Sequence, residues 1–500
     1  MKLTLFSSQY FPYIPPTKLN KLLGFTFTTL YGLFITIPIF AIKTLRQSIW
    51  TTFLFILITT PPHFAITPEP ILLHTAISSA TRHSKKLQIQ KNKIKIKQAE
   101  HQIAISELLP SLDASFDLNS IEYEVDGRDA LAKINVLGDE VTVYPVAPSK
   151  YSSHFNLMFS QTLFSGGRIL AQIGIKKFEA ALLSYDYQHS LRQQQREIST
   201  LYWRTLISSL ETSSADTLAQ LTKTKLAFLN SKSDKGFLSK KNLRESEIDF
   251  YNRNENKLLT KQIFTQSNRH LIEQTKLPYS SIQLSSSPRK YEEIAPFFQD
   301  LKTLSKTYEP LSVKQSKLNI SIAEKNHAIS KSLFMPDITL SSGVSYFDAD
   351  SELKNAHNDL KLGDTYIRLT ARYNLFSGFK DMATFKKSKL ETQLAQLSLS
   401  TQKEESQIST DQLIQNCQQA ITNLKQLKKN ADSMNKLLNE AKIQFNHNQL
   451  SQSDIIDTQI HHADALLLYQ KATIEVEIAL SELAFQIGEG DKYLRRFSSQ

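Results

Sequence analysis

Hydrophobic and polar positions follow two different periods along this chain, and the switches between them organise it. Leu112, Ala114, Phe116 and Leu118 alternate with Asp113, Ser115, Asp117 and Asn119. Phe155, Leu157, Phe159 and Leu163 sit among mostly polar neighbours. The pattern returns with Ile338, Leu340, Val344 and Tyr346 against Thr339, Ser341 and Ser345. It returns once more with Ile367, Leu369, Ala371, Tyr373 and Leu375 against Arg368, Thr370, Arg372 and Asn374. Period two predicts four strands, each with one apolar and one polar face and long enough, when tilted, to cross a bilayer. Alternation alone also suits a strand of a sandwich core.

Elsewhere the pattern is helical. Neither Gly nor Pro occurs from Ile175 to Lys235 or from Phe379 to Ile487. Such runs predict bundle or coiled-coil helices, about Arg168 to Ser233 and Lys380 to Phe445, each followed by a shorter one, about Lys241 to Lys276 and Gln452 to Phe485. Helices are also expected from about Ile71 to Glu107 and Phe297 to Ser332, ending at Pro110 and Pro336 because proline cannot continue a helix. A helix of about 66 residues is roughly 100 Å long. Lone helices of that length need bundle partners.

These elements form one unit written twice. Leu163-Phe164-Ser165-Gly166-Gly167-Arg168 recurs as Leu375-Phe376-Ser377-Gly378-Phe379-Lys380, 212 positions later. Gly236-Phe237-Leu238-Ser239 aligns with Asn448-Gln449-Leu450-Ser451 at the same 212. Leu109-Pro110 pairs with Met335-Pro336 at 226, so the first copy carries 14 extra residues, expected as a loop within Asp126 to Lys150. The division is therefore a leader over 1–65, a first repeat over 66–290, a second over 291–490 and a tail over 491–500. In each repeat the order is helix, two strands, long helix, helix. Four amphipathic strands cannot close a barrel, since small barrels need about eight, and open edges are not tolerated in lipid. The strands call for completion by other copies of the chain.

Charge and cysteine content narrow the function classes. The formal charge is +11, but residues 1–65 hold five basic residues and no acidic ones, leaving 54 basic against 48 acidic. That balance reads as a mixed-charge solvated surface, not a nucleic-acid footprint. The single cysteine, Cys417, excludes an internal disulfide. Lys43 and Arg46, the apolar run Ile49 to Thr60 and Ala65 predict a removable secretory leader. An earlier apolar run, Leu22 to Ile42, is long enough to span a bilayer. Either the leader is extended or translation starts near residues 43–46. Phosphate-loop, dinucleotide, nucleophile-elbow and HExxH signatures are absent, so no enzyme, cofactor or resident metal is expected. His461-His462 point in different directions on a helix and do not suggest a ligand set.

The helix-ending prolines, the paired LFSG turns and the two helical turns at a fixed offset resemble the TolC outer-membrane efflux family over about residues 68–490. The resemblance implies a mainly helical protein with a membrane β-barrel portion, a homotrimer with four strands per protomer in a twelve-stranded barrel, and a periplasmic helical tunnel. It implies a passive exit duct in the outer membrane of a Gram-negative bacterium, working with a periplasmic adaptor and an inner-membrane transporter. Gly236, Phe237, Leu238, Asn448, Gln449 and Leu450 would be the adaptor-contact turns. Asp454 and Asp457, with their repeat partners Asn242 and Glu245, would lie at the aperture gate. The plainer reading of those aspartates is carboxylates at a helix N-terminus. Pro110, Gly166, Gly167, Pro336 and Gly378 would form the barrel-to-tunnel junction, and Arg368 and Arg372 would face the lumen, biasing anions or simply solvating it. The family often carries a basic residue where this chain has Leu450 and Leu238, so a different closing lock is expected, with Lys240 or Lys241 as substitutes. The competing classes are a periplasmic adaptor, which would hold one hairpin and compact β domains without two copies of strand-helix-helix, and a membrane-anchored coiled-coil scaffold, against which the period-two strands argue.

Overall fold

The computed structural model describes residues 70–120, 132–136, 139–143, 150–277, 283–350 and 352–497, with backbone alone at 132–136 and 139–143. The expected leader lies outside the described residues. The chain opens with β1 (Pro70–Ile71), α1 (Leu73–His83) and α2 (Lys85–Ser106), then β2 (Ser111–Ser120), β3 (Ala132–Val136), β4 (Asp139–Val143), β5 (Tyr151–Ser165), α3 (Arg168–Asp234) and α4 (Lys240–Thr275). After β6 (Gln283–Leu284) come α5 (Tyr291–Thr307), α6 (Leu311–Ser332), β7 (Asp337–Asp350), β8 (Lys361–Arg372), α7 (Lys380–Asn446), α8 (Gln452–Gln486) and α9 (Gly490–Arg495).

The repeat holds in three dimensions. α3 and α7 each have 67 residues and start 212 positions apart. α2 and α6 each have 22 residues and start 226 positions apart. Among the described residues no helix is long and apolar enough to cross a membrane.

The strands form one antiparallel sheet in the order β2-β5-β7-β8. Its register places Leu112 opposite Phe159, Ala114 opposite Leu157 and Phe116 opposite Phe155. It continues with Leu157 opposite Val344, Phe155 opposite Tyr346 and Leu340 opposite Leu369. One face of the sheet is therefore mainly apolar, interrupted by Ser153, Ser342 and Asp348, and the other carries Asp113, Asp117, Arg368 and Arg372. The outer strands β2 and β8 each pair on one side only.

Three expectations are corrected. The first helix of each repeat is two helices. Ser84 takes an extended conformation and its hydroxyl caps α2 by accepting from Leu87 N, so the chain turns there. In the second repeat Tyr308 is extended and Pro310 stands at the N-cap of α6, since proline interrupts the helical ladder and disfavours the helical region at Glu309 before it. The 126–150 insertion, expected as a loop, contains the β3–β4 hairpin, whose Val141, Val143 and Ile134 favour strand. The expected tail folds in its described part, up to Phe497: α9 is helical, and Tyr493, Leu494 and Phe497 are buried.

The main core lies where α3, α7 and α8 pass α1, α5 and α9. Trp203 packs edge-on to Tyr202 and Phe497, and its Nε1 donates to Tyr493 Oη at 2.9 Å. Arg289, 4% exposed, and Glu477, 0% exposed, form a buried ion pair at 2.5 Å. The Arg289 guanidinium also lies over the rings of Phe297, Tyr493 and Phe497, 4.0–5.4 Å from their centroids. Burial pushes the Glu477 carboxyl up, with Arg289 opposing the shift. β1 pairs in parallel with β6, and Tyr202 Oη donates to Ile71 O at 2.8 Å, which fastens the start of the first repeat to that repeat's closing segment and to α3.

Candidate functional site

The sequence-selected residues gather at the two ends of the long helices. At the end remote from the sheet lie the α3–α4 and α7–α8 turns. Phe237 N donates to Lys232 O, and Gln449 N to Gln444 O, so both turns close through the same six-residue hydrogen bond. Each needs a left-handed residue: Gly236 has φ +76° and Asn448 φ +57°. Asn is the side chain that best tolerates this conformation, which explains its replacement of glycine. The following helices start alike, with Ser239 Oγ accepting from Asn242 N and Ser451 Oγ from Asp454 N. Phe237 projects from the first turn and is 79% exposed. Gln449 is exposed, and Leu238 and Leu450 are half-buried.

The two aspartates have different partners. Asp454 Oδ2 accepts from Ser451 Oγ at 2.7 Å in the first turn of α8, so it is a capping carboxylate. Asp457 is held by Lys225 of α3 at 2.6 Å. The first-repeat counterparts are arranged differently: Glu245 meets only Lys241 of its own helix among described residues, at 3.8 Å, with both side chains largely exposed. Lys241 therefore does not link neighbouring helices in this copy.

The cation that does so is Lys225, which the sequence reading did not select. Further up the same seam Lys471 meets Glu211 at 2.5 Å, and Arg253 meets Asp464 at 3.4 Å. Each of these pairs joins the first repeat to the second. Helix packing brings these residues together, antiparallel for α3 with α8 and parallel for α4 with α8, and no local motif announces them.

At the other end, Pro110 and Pro336 follow the last turns of α2 and α6, and Gly166, Gly167 and Gly378 lead into α3 and α7. Gly166 has φ +59°, and a Cβ there would lie 2.8 Å from Met335 Cβ, so chain direction and space both require glycine. Gly378 has φ +63° with open space around it in a single copy. Gly167 and Phe379 are the left-handed N-caps of the long helices. On the polar sheet face Arg368 lies over the Tyr366 ring, 4.9 Å from its centroid, and Arg368 and Arg372 are both exposed.

No family model and no curated protein matches the sequence. Solved structures do match its shape. The outer-membrane protein VceC of Vibrio cholerae is 12% identical with a TM-score of 0.63, covering 83% of this chain and 96% of its own. The CmeC outer-membrane channel of Campylobacter jejuni is 11% identical, with a TM-score of 0.66, 85% of this chain and 89% of its own. The MtrE outer-membrane channel of Neisseria gonorrhoeae, solved in an open state, is 14% identical, with a TM-score of 0.63, 84% and 89%. Likeness over this much of the chain, at identities this low, establishes architecture: the protein has the fold of a TolC-like outer-membrane channel protomer.

Proposed function

We propose that the chain is an exit duct of the outer membrane, one protomer of a homotrimeric channel that extends into the periplasm. The observation that carries this reading is the four-stranded sheet with one mainly apolar face and two unpaired edges. Such a sheet is unsuited to water on its apolar face and to lipid on its edges. Three copies supply twelve strands, enough for a closed barrel with its apolar face in the lipid and its polar face lining a lumen. The long helices, about 100 Å each, continue the conduit below the membrane.

The duct is passive. An inner-membrane transporter supplies the energy, and a periplasmic adaptor docks at the exposed turns around Phe237 and Gln449. Asp454 and Asp457 stand just behind the second turn, and threefold repetition gives a ring of six carboxylates, the three of Asp457 paired with Lys225, that attracts cations and narrows the exit until the helices part.

Single-channel recording of the purified protein in planar bilayers tests both parts. Small cation-selective pores that widen in the Asp454→Ala/Asp457→Ala variant are expected. Pores unaffected by the substitutions would remove the gate and leave the duct. Folded protein that never forms pores would favour a periplasmic scaffold or adaptor.

A further inference from the structure

A cavity of about 80 Å³ opens where the start of α6 and the end of α8 both reach α3. Its lining is basic. His189, Arg192 and Arg196 come from α3, spaced i, i+3 and i+7, so they share one helix face. Tyr308, Ser312 and Gln486 close the other side, and no carboxylate lines the cavity.

These cations lack counter-charges. Among the described residues His189 and Arg196 make no hydrogen bond or ion pair, and Arg192 has only the Tyr308 hydroxyl, to which its Nη1 donates. The carboxylates nearest along the chain are engaged elsewhere. Glu197 accepts from Gln193, Glu309 pairs with Lys317, and Asp186 accepts from Gln315. Like charges one turn apart on a helix repel, so the arrangement costs stability as it stands. The repeated fold does not ask for it: 212 positions after Arg192 and Arg196 stand Glu404 and Ile408.

The Arg192 guanidinium is nevertheless held in place. It lies 5.6 Å from the Tyr308 ring centroid, and Gly488 leaves it room, since a Cβ there would fall 2.6 Å from Nη2. The last carbonyls of α8, which would oppose an anion, are taken up by the turn that follows. Ile487 N donates to Leu483 O, Gly488 N to Phe485 O and Glu489 N to Ala484 O. α6 adds the positive end of its dipole at the same place.

We propose that this cavity binds a small free oxyanion, of phosphate or sulfate type, on the Arg192 and Arg196 guanidiniums, with the exposed His189 at its rim. Guanidinium forks offer paired N–H donors that match the oxygens of such an ion. The volume is far below the roughly 300 Å³ and more of sites for drug-sized ligands, so the site suits an ion and not a transported molecule. The bound ion ties α6 and α8 to α3 and relieves the repulsion along the α3 face.

Equilibrium dialysis of the purified protein against radiolabelled phosphate, at constant ionic strength in sodium chloride, tests the site. One ion per chain is expected, displaced by sulfate and not by glycerol phosphate, whose larger body the cavity does not admit. Arg196→Gln is expected to weaken binding by about tenfold or more. Arg196→Lys should weaken it less, because it keeps the charge and loses only the paired donors. Arg244→Gln, on the exposed start of α4, should not change it. Phosphate should also raise the unfolding temperature of the wild type and not that of Arg196→Gln, since the ion binds the folded chain alone. No binding above the chloride background, or binding unchanged in Arg196→Gln, overturns the site. Displacement by glycerol phosphate as readily as by sulfate overturns the free ion and gives the cavity to a phosphate headgroup. One chain walls the cavity, so none of these results bears on whether copies assemble into the duct.

Discussion

Lys225 of α3 and Asp457 of α8 stand 2.6 Å apart and join the two repeats of one chain just above the helical turns. Their side chains retain 21% and 38% of their exposure, so solvent screens the pair and its contribution to stability is modest, up to about 1 kcal/mol. Its larger effect is on the field at the exit. With Lys225 in place Asp457 is neutralised, whereas Asp454 is offset only by its own helix terminus and Ser451. Lys225→Met is therefore expected to strengthen block of the pore by divalent cations, by up to about fivefold in the half-blocking concentration. Asp457→Asn is expected to weaken block. Conductance titrations with magnesium would check both signs.

The Arg289–Glu477 pair is the opposite case, fully withdrawn from water. Glu477→Gln leaves the Arg289 charge buried among three aromatic rings without its counter-ion, and a loss of about 3–5 kcal/mol is expected. Replacing both, as Arg289→Met/Glu477→Gln, should recover part of that loss, because no uncompensated charge remains. Denaturant unfolding of the refolded chain measures the difference.

Gly166→Ala is expected to destabilise for two reasons. Its φ of +59° costs an L side chain roughly 1–2 kcal/mol, and the new Cβ would press on Met335. Gly378→Ala carries only the backbone cost within a single copy, where nothing lies within 4 Å. Thermal unfolding of the two variants as dissociated monomers should rank Gly166→Ala lower.

Cys417 supplies a pH-dependent readout. Burial, with a smaller contribution from Glu482, raises its thiol from 9.0 to about 12. The folded protein thus keeps the proton in that window while the unfolded chain releases it, so stability falls as pH rises from about 9 towards 12. Below pH 9 this contribution is constant. Alkylation of Cys417 near pH 8 is expected to track unfolding, with little reaction in the native state.

Much of this fold was legible because the informative signals are periodic and occur twice. The 212-residue offset carried the strand-helix boundaries at Gly166 and Gly378, and alternation around Phe116 and Leu369 revealed the apolar sheet face. The helix breaks at Ser84 and Pro310 were less visible, since a single capping serine does not interrupt hydrophobic period over so short a step. Within the candidate site, the turns at Gly236 and Asn448 followed from backbone requirements. Lys225 did not, because a lysine on a long polar helix becomes specific only when antiparallel packing delivers Asp457 to it. The role of Phe497 was hidden for a similar reason: its partner Trp203 is nearly three hundred residues away.

That separation bears on the order in which the molecule is made. Trp203 Nε1 finds its hydrogen-bond acceptor in Tyr493, 290 positions later, and the indole is closed over by Phe497. Closing a contact across so much chain carries a large entropic cost before any burial compensates for it. During synthesis, the middle of the first repeat must therefore wait with its largest aromatic side chain uncovered until residue 497 has emerged. A polypeptide whose core is closed by its ninth helix completes that core only when nearly the whole chain has been made.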